Sequence, residues 1–199
     1  MRNTKSIRIL LAQPPGPDRT TLERQLKRVG FLTEVSWPPA APLYEFADVV
    51  FVAFRAAAEE NVKLRWPAEN PPAAMVALLD FENPAVVSEA IRLKAHAVVG
   101  LPIRSFGVVA NVFVALENFK AQQALTEQVK RYKAKIESQM LVVKAKDILR
   151  SNYGLTEDEA HKALRTHAMN KRVSIVEIAR AIASAEDLAS SLLNLKKKP

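Results

Sequence analysis

The run Asp48-Val49-Val50-Phe51-Val52-Ala53-Phe54 decides the fold. After its leading aspartate every residue is apolar, with none of the alternation of a strand that shows one face to water. A short unbroken apolar run of this kind belongs in the middle of a parallel sheet covered on both faces. Met75 to Leu79 repeats the pattern. On either side lie Ile7-Arg8-Ile9-Leu10-Leu11-Ala12, then Leu32 to Trp37 closed by Pro38-Pro39, and finally Ala97-Val98-Val99-Gly100. Between the strands fall helical stretches: Thr20 to Val29, with leucines at 22 and 26, and Pro84 to Leu93, with Asn83 placed to cap it and Pro84 in its first turn. Glu59 to Pro72 is polar and proline-bearing where a helix is due, and predicts a short or irregular one. Strict alternation of strand and helix predicts a doubly wound α/β sheet.

From Arg104 the character changes. Proline and glycine nearly vanish and a long helical pattern begins. Leu125, Val129, Tyr132, Ile136 and Val143 follow alternating steps of four and three, with Gln139 in the skipped place. Such a seven-residue seam, flanked by lysines and glutamates, predicts a coiled coil and hence a homodimer; an amphipathic helix packed on its own domain is the alternative. Two further helices start at capping boxes, Thr156-Glu157-Asp158-Glu159 and Ser174-Ile175-Val176-Glu177, the first preceded by Gly154 as a helix stop. Their apolar faces are Ala160, Ala163, Leu164 and Ala168, then Ile175, Ile178, Ala179 and Ile182, and they predict a compact three-helix bundle. Ala185 to Pro199, ending in Lys196-Lys197-Lys198, reads as a frayed helix or tail.

The 199 residues suit one large or two small domains, and a hydrophobic fraction of 49% suffices for real cores. With no cysteine there is no disulfide, no thiolate metal site and no cysteine nucleophile. No apolar stretch approaches the ~18 residues of a membrane span, and the apolar run after the basic start is too short for a signal peptide, so the expectation is a cytoplasmic protein. The formal charge is +8, and its placement is uneven: residues 120–199 hold 16 Lys and Arg against 9 Asp and Glu, residues 1–119 hold 13 against 12. A localised positive field attracts polyanions, although a solvated basic surface gives the same count. His96, His161 and His167 have no ligand spacing, and no Ser/His/Asp or paired-carboxylate cluster stands out, so neither an enzyme, a cofactor nor a metal site is expected.

The first 110 or so residues resemble the receiver domain of bacterial response regulators, a flavodoxin-like fold. The resemblance implies an acidic pair after the first strand for Mg²⁺, an aspartate at the end of the third to accept phosphate, a Ser/Thr after the fourth and Lys-Pro after the fifth. Here Gln13-Pro14, Ala53, Leu79 and Leu101-Pro102 stand in those places. Alanine cannot form an acyl phosphate, and Mg²⁺ needs hard oxygen ligands. Ala53 is therefore a degenerate phosphoacceptor position, and regulation by docking of a partner is expected instead; a purely structural domain is the alternative.

Ala145-Lys146-Asp147-Ile148-Leu149, Tyr153-Gly154, Glu159-Ala160, Leu164-Arg165, Ala168-Met169 and Val176-Glu177-Ile178-Ala179 resemble, in order and spacing over about 40 residues, the ANTAR family of transcription antiterminators. The resemblance implies binding of tandem leader-RNA stem-loops as a dimer, so that a terminator hairpin cannot form. It also implies control by a ligand-sensing regulator protein of the AmiC kind. The expected layout is a pseudo-receiver at 1–110, a coiled-coil linker at 111–140, an ANTAR RNA-binding domain at 141–185 and a basic tail at 186–199. Hairpin loops expose unstacked bases, whereas A-form stems hide theirs in a deep groove. The RNA-binding candidates are thus Lys144, Lys146, Arg150, Arg165, Lys171 and Arg172 for phosphate, with Tyr153 for stacking; Lys146 and Arg165 lie on the family pattern, the others are chosen by charge and position. Two other readings stay open, a DNA-binding regulator and a protein-interaction adaptor. Against the first, the helix from Ser174 to Ala183 begins Ile-Val-Glu and carries only Arg180, a poor set for a major groove.

Overall fold

The computed structural model describes residues 7–38, 45–54, 66–80, 84–104 and 106–195, with side chains as far as 192. Five strands, β1 (Arg8–Ala12), β2 (Leu32–Val35), β3 (Val49–Phe54), β4 (Ala74–Leu79) and β5 (Ala97–Gly100), form one parallel sheet in the order β2-β1-β3-β4-β5. The helices are α1 (Pro17–Val29), α2 (Pro84–Arg92), α3 (Val108–Tyr153), α4 (Glu157–Lys171) and α5 (Ile175–Leu195). The chain divides into two compact units, Met1–Leu125 and Thr126–Pro199, and α3 supplies residues to both.

Side chains alternate across the sheet, as the two-residue period of a strand requires. Ile9, Leu11, Phe51, Val76 and Leu78 face one core with Leu22 and Leu26 of α1 and Val108, Val112 and Ala115 of α3. Leu10, Ala12, Val50, Val52, Met75 and Ala77 face the other, with Val86 and Ala90 of α2 and with Trp66. All six residues of β4 and five of the six in β3 are buried, which is why these two runs lack polar alternation. Burial of each Val, Leu, Phe or Met side chain among them stabilises the fold by roughly 1.5–3 kcal/mol.

Several expected boundaries move. Helix α1 starts at Pro17, three residues before Thr20, because proline is pre-set for a first helical turn; Gly30, at φ 96°, ends it. Strand β2 stops at Val35. Asn83 and the first half of the Glu59–Pro72 segment lie outside the described residues; Trp66 to Pro72 is turn and irregular chain, not helix. The start of α3 is pinned to the sheet through the buried His96. Its Nδ1 accepts from the Met75 N–H at 3.0 Å, which leaves Nε2 to donate to Gln122 Oε1 at 3.0 Å. Asn118 Nδ2 donates to the His96 carbonyl at 2.8 Å, and Phe119 meets the imidazole edge-on.

In the second unit, Ala145, Leu164 and Ala179 form the centre of a small core, bordered by Leu141, Val142, Leu149, Ile175, Ile178 and Ile182. Alanine at the contacts lets the three helices approach closely. Ala160 and Ala168 are also buried, whereas Ala163, expected on the same face, is exposed. Both capping boxes form. Thr156 Oγ1 accepts from Glu159 N–H at 3.3 Å while Glu159 Oε2 accepts from Thr156 N–H at 2.9 Å. Ser174 and Glu177 repeat the exchange at 3.2 and 2.9 Å. The segment expected to fray from Ala185 is regular helix as far as Leu195.

Candidate nucleic-acid interface

In an open α/β sheet ligands bind past the carboxyl ends of the strands, where the strand order reverses. Here that point lies between β1 and β3. Gln13 follows β1 and is buried, Ala53 is the penultimate residue of β3, Leu79 ends β4 and Leu101 follows β5. Register places Ala53 against Leu78 and Leu79 against Gly100. These four side chains offer no anionic oxygen. Asp18, at the start of α1, is committed elsewhere: its Oδ1 accepts from the Ile103 N–H at 2.7 Å. Asp80, one residue past Leu79, is exposed at the carboxyl edge of the sheet and is the one aspartate beside these four positions among the described residues after Asp18 is set aside. Asp48 sits at the opposite end of β3 and accepts from the Arg8 N–H at 2.8 Å.

In the helical unit the charge splits into two sets. Lys144 Nζ is 2.7 Å from Asp187, Lys146 Nζ 2.6 Å from Glu157, and Arg150 Nη1 3.3 Å from Asp147. The first two pairs tie α3 to α5 and to α4; the third lies within α3. Arg165, Lys171 and Arg172 are exposed and make no ion pair among the described residues. The same holds for Lys162, which sequence reasoning passed over. Its signal is spacing: Lys162, Arg165 and Met169 step by three and four along α4, so they share one face. Met169 on that face is exposed too. Arg172 ends α4 in the left-handed conformation at φ 56°, where a cation also meets the negative end of the helix. Tyr153, at the end of α3, is 72% exposed and is no core residue.

The local electrostatics are cooperative. The Lys146 ammonium, by hydrogen bond and by attraction, holds the Glu157 carboxyl below its ordinary range. The Thr156 N–H and hydroxyl do the same for Glu159. Both carboxylates therefore stay charged in the first turn of α4, where the helix dipole favours them. A cleft of about 330 Å³ opens where the three helices meet, lined by Leu149, Ala163, Leu164, His167, Ala181 and Ile182 among others.

A receiver-like parallel sheet, followed by a helical unit with exposed cations along α4, defines a regulator of the response-regulator class. The chain belongs to the family described as AmiR, N-terminal, whose profile matches residues 7–116, and it carries an ANTAR domain matched over residues 130–182. It is 29% identical over 186 residues to the aliphatic amidase regulator of Pseudomonas aeruginosa, covering 93% of this chain and 95% of that one. It is 39% identical over 66 residues to the nitrate regulatory protein of Klebsiella oxytoca, covering 33% of this chain and 17% of the other. Among solved structures, full-length FixJ from B. japonicum aligns at a TM-score of 0.47 and 12% identity, over 90% of this chain and 98% of that one. No described helix is long and apolar enough to cross a membrane.

Proposed function

We propose that this chain is a cytoplasmic, non-enzymatic transcription antiterminator that binds leader-RNA stem-loops as a homodimer and so keeps a terminator hairpin from forming. The observation that carries the reading is the coincidence of an ANTAR match with a three-helix unit whose α4 bears unpaired cations on one face. Lysine and arginine with no internal carboxylate are free to meet phosphate, and they set affinity and its salt dependence. Arg165, Lys171, Arg172 and Lys162 contact the backbone, and Tyr153 stacks on a loop base. Lys144, Lys146 and Arg150 remain in the binding set, but their ion pairs make them holders of the unit first.

The seam Leu125, Val129, Tyr132, Ile136 and Val143 pairs two copies and so presents two RNA units to tandem stem-loops. The pseudo-receiver at 1–110 works as a docking surface, and control comes from a ligand-sensing partner of the AmiC kind that holds the dimer inactive. Phosphorylation plays no part. The linker expected at 111–140 begins as part of the first unit, since Val112, Ala115 and Leu116 pack in its core, and pairs two copies only beyond them; the ANTAR unit at 141–185 and the basic end at 186–199 complete the layout.

The test is a gel shift of purified full-length protein on a leader RNA with tandem stem-loops from its own genomic neighbourhood, beside duplex DNA of the same sequence, at several salt concentrations. Tight, RNA-selective binding supports the reading. Equal or stronger binding to DNA sinks it in favour of a DNA-binding regulator. Absence of binding to either nucleic acid points to a protein-interaction adaptor.

A further inference from the structure

The outward side of α4 is not uniformly polar. Ala160, Leu164 and Ala168 form its buried side, and away from them Met169 is 69% exposed. Met169 shares its face with Lys162 and Arg165, neither of which has an ion pair among the described residues. A lone exposed methionine is ordinary on a protein surface. This one sits beside free cations, in the last turns of a helix that closes at a cost.

The cost is at Arg172, which ends α4 in the left-handed conformation at φ 56°. Glycine is the usual residue there, because a side chain crowds the backbone in that region. The Arg172 N–H donates to the Met169 carbonyl at 3.1 Å, and the Val173 N–H to the Ala168 carbonyl at 3.0 Å. These bonds keep Arg172 and Val173 against the turn that carries Met169. Val173 is 41% exposed, so the closing turn offers two apolar side chains and an arginine to solvent. The charge along α4 is graded in the same direction. Glu157, Asp158 and Glu159 fill the first turn, while Lys171 and Arg172 stand at the end and outweigh the negative pole of the helix. Asp158, four residues before Lys162, is exposed and has no ion pair among the described residues. A polyanion laid on this face is therefore repelled at the start of α4 and attracted at its end.

We infer that Met169, with Val173, seats an unstacked base of the RNA loop, while Arg165 and Arg172 hold the phosphates on either side of it. The inference rests on the RNA binding proposed above, and it assigns a second base beyond the one given to Tyr153. A nucleotide joins a flat ring to an anion, and this turn matches both. The polarizable thioether meets the ring face, and the guanidinium groups meet phosphate. A thioether donates no hydrogen bond and accepts only weakly, so the seat reads the presence of a base and tolerates its identity. The unfavourable backbone at Arg172 is accounted for as well: glycine would close the helix more easily and would lose the guanidinium.

The experiment measures the affinity of the full-length protein for a leader stem-loop from its own genomic neighbourhood, and for the same RNA with an abasic sugar at each loop position in turn. Met169→Ala is expected to weaken binding to the intact RNA about three- to tenfold, the range of a sulfur–ring contact, and to leave the salt slope unchanged. At one loop position the abasic RNA should weaken binding of the unaltered protein by a similar factor, and there Met169→Ala should cost nothing further. Met169→Leu should keep most of the affinity. Arg172→Gly should melt no lower than the unaltered protein and still bind more weakly, with a salt slope smaller by about 0.7–0.9. Full affinity in Met169→Ala, or a loss that persists on every abasic RNA, overturns the inference while RNA binding stands; so does full affinity in Arg172→Gly. An unaltered protein that binds no leader RNA overturns it together with the proposed function.

Discussion

Lys146 donates to Glu157 across 2.6 Å and thereby fixes the last part of α3 to the first turn of α4. The side chain of Lys146 is only 16% exposed, so the lysine on the family pattern is spent largely inside the protein. Arg165, also on the pattern, has no such partner among the described residues. The two residues should therefore fail differently. Lys146→Ala is expected to lower the melting temperature of the helical unit along with RNA affinity. Arg165→Ala is expected to leave melting unchanged and weaken RNA binding roughly tenfold, the weight of one phosphate or base contact. Circular dichroism melts beside gel shifts separate the cases.

The free cations of α4 should show in the salt dependence. Each of Lys162→Ala, Arg165→Ala and Arg172→Ala is expected to reduce the slope of log affinity against log salt by about 0.7–0.9, the loss of one released counterion. Lys144→Ala, whose ammonium sits on Asp187, is expected to change the slope less.

The two capping boxes hold the starts of α4 and α5. Thr156→Ala and Ser174→Ala are each expected to cost about 1 kcal/mol of stability in urea unfolding, and Thr156→Ser is expected to recover most of it. A change near zero for Thr156→Ala would mean that the tertiary contacts of Ala160 and Leu164 hold the helix start without help.

His96 is held neutral in its buried site, chiefly by desolvation, and its pKa lies below the ordinary histidine value. Between the folded and unfolded pKa values the unfolded chain binds the extra proton, so stability falls as pH drops below about 6.5. The first unit should melt lower at pH 5 than at pH 7.5. His96→Asn keeps an acceptor for the Met75 N–H and cannot titrate, and it should flatten that dependence.

Incubation with a small-molecule phosphodonor and Mg²⁺ is expected to add no phosphoryl group by mass spectrometry. Ala53→Asp alone should not restore the reaction, because Gln13, Leu79 and Leu101 still leave the site without the acidic pair, hydroxyl and ammonium. Stable labelling of the Ala53→Asp variant would show that the pocket retains a metal site.

Much of this was legible in the chain because burial leaves a local trace. The short apolar runs at β1, β3 and β4, bounded by turn residues and rich in Val and Ile or Leu, read as covered strands, and the Thr156 and Ser174 boxes named their helices in four residues each. What was not legible depends on distance or on exposure. Lys144 and Asp187 lie 43 residues apart, and nothing in the sequence marks them as partners. Ala163 sits at helical spacing from buried neighbours yet faces water, since an alanine costs nothing there. Leu188 and Leu192 are good helix formers, and they carry α5 through the stretch that the lysine-rich end suggested would fray.

The most direct measurement is transcription in vitro on a template carrying the natural leader and its terminator, with full-length protein titrated in. The account predicts that full-length transcript rises at the expense of the terminated product, and that Arg165→Ala shifts the response to higher protein concentration without changing its form. Unchanged read-through at concentrations that saturate the leader RNA would contradict it.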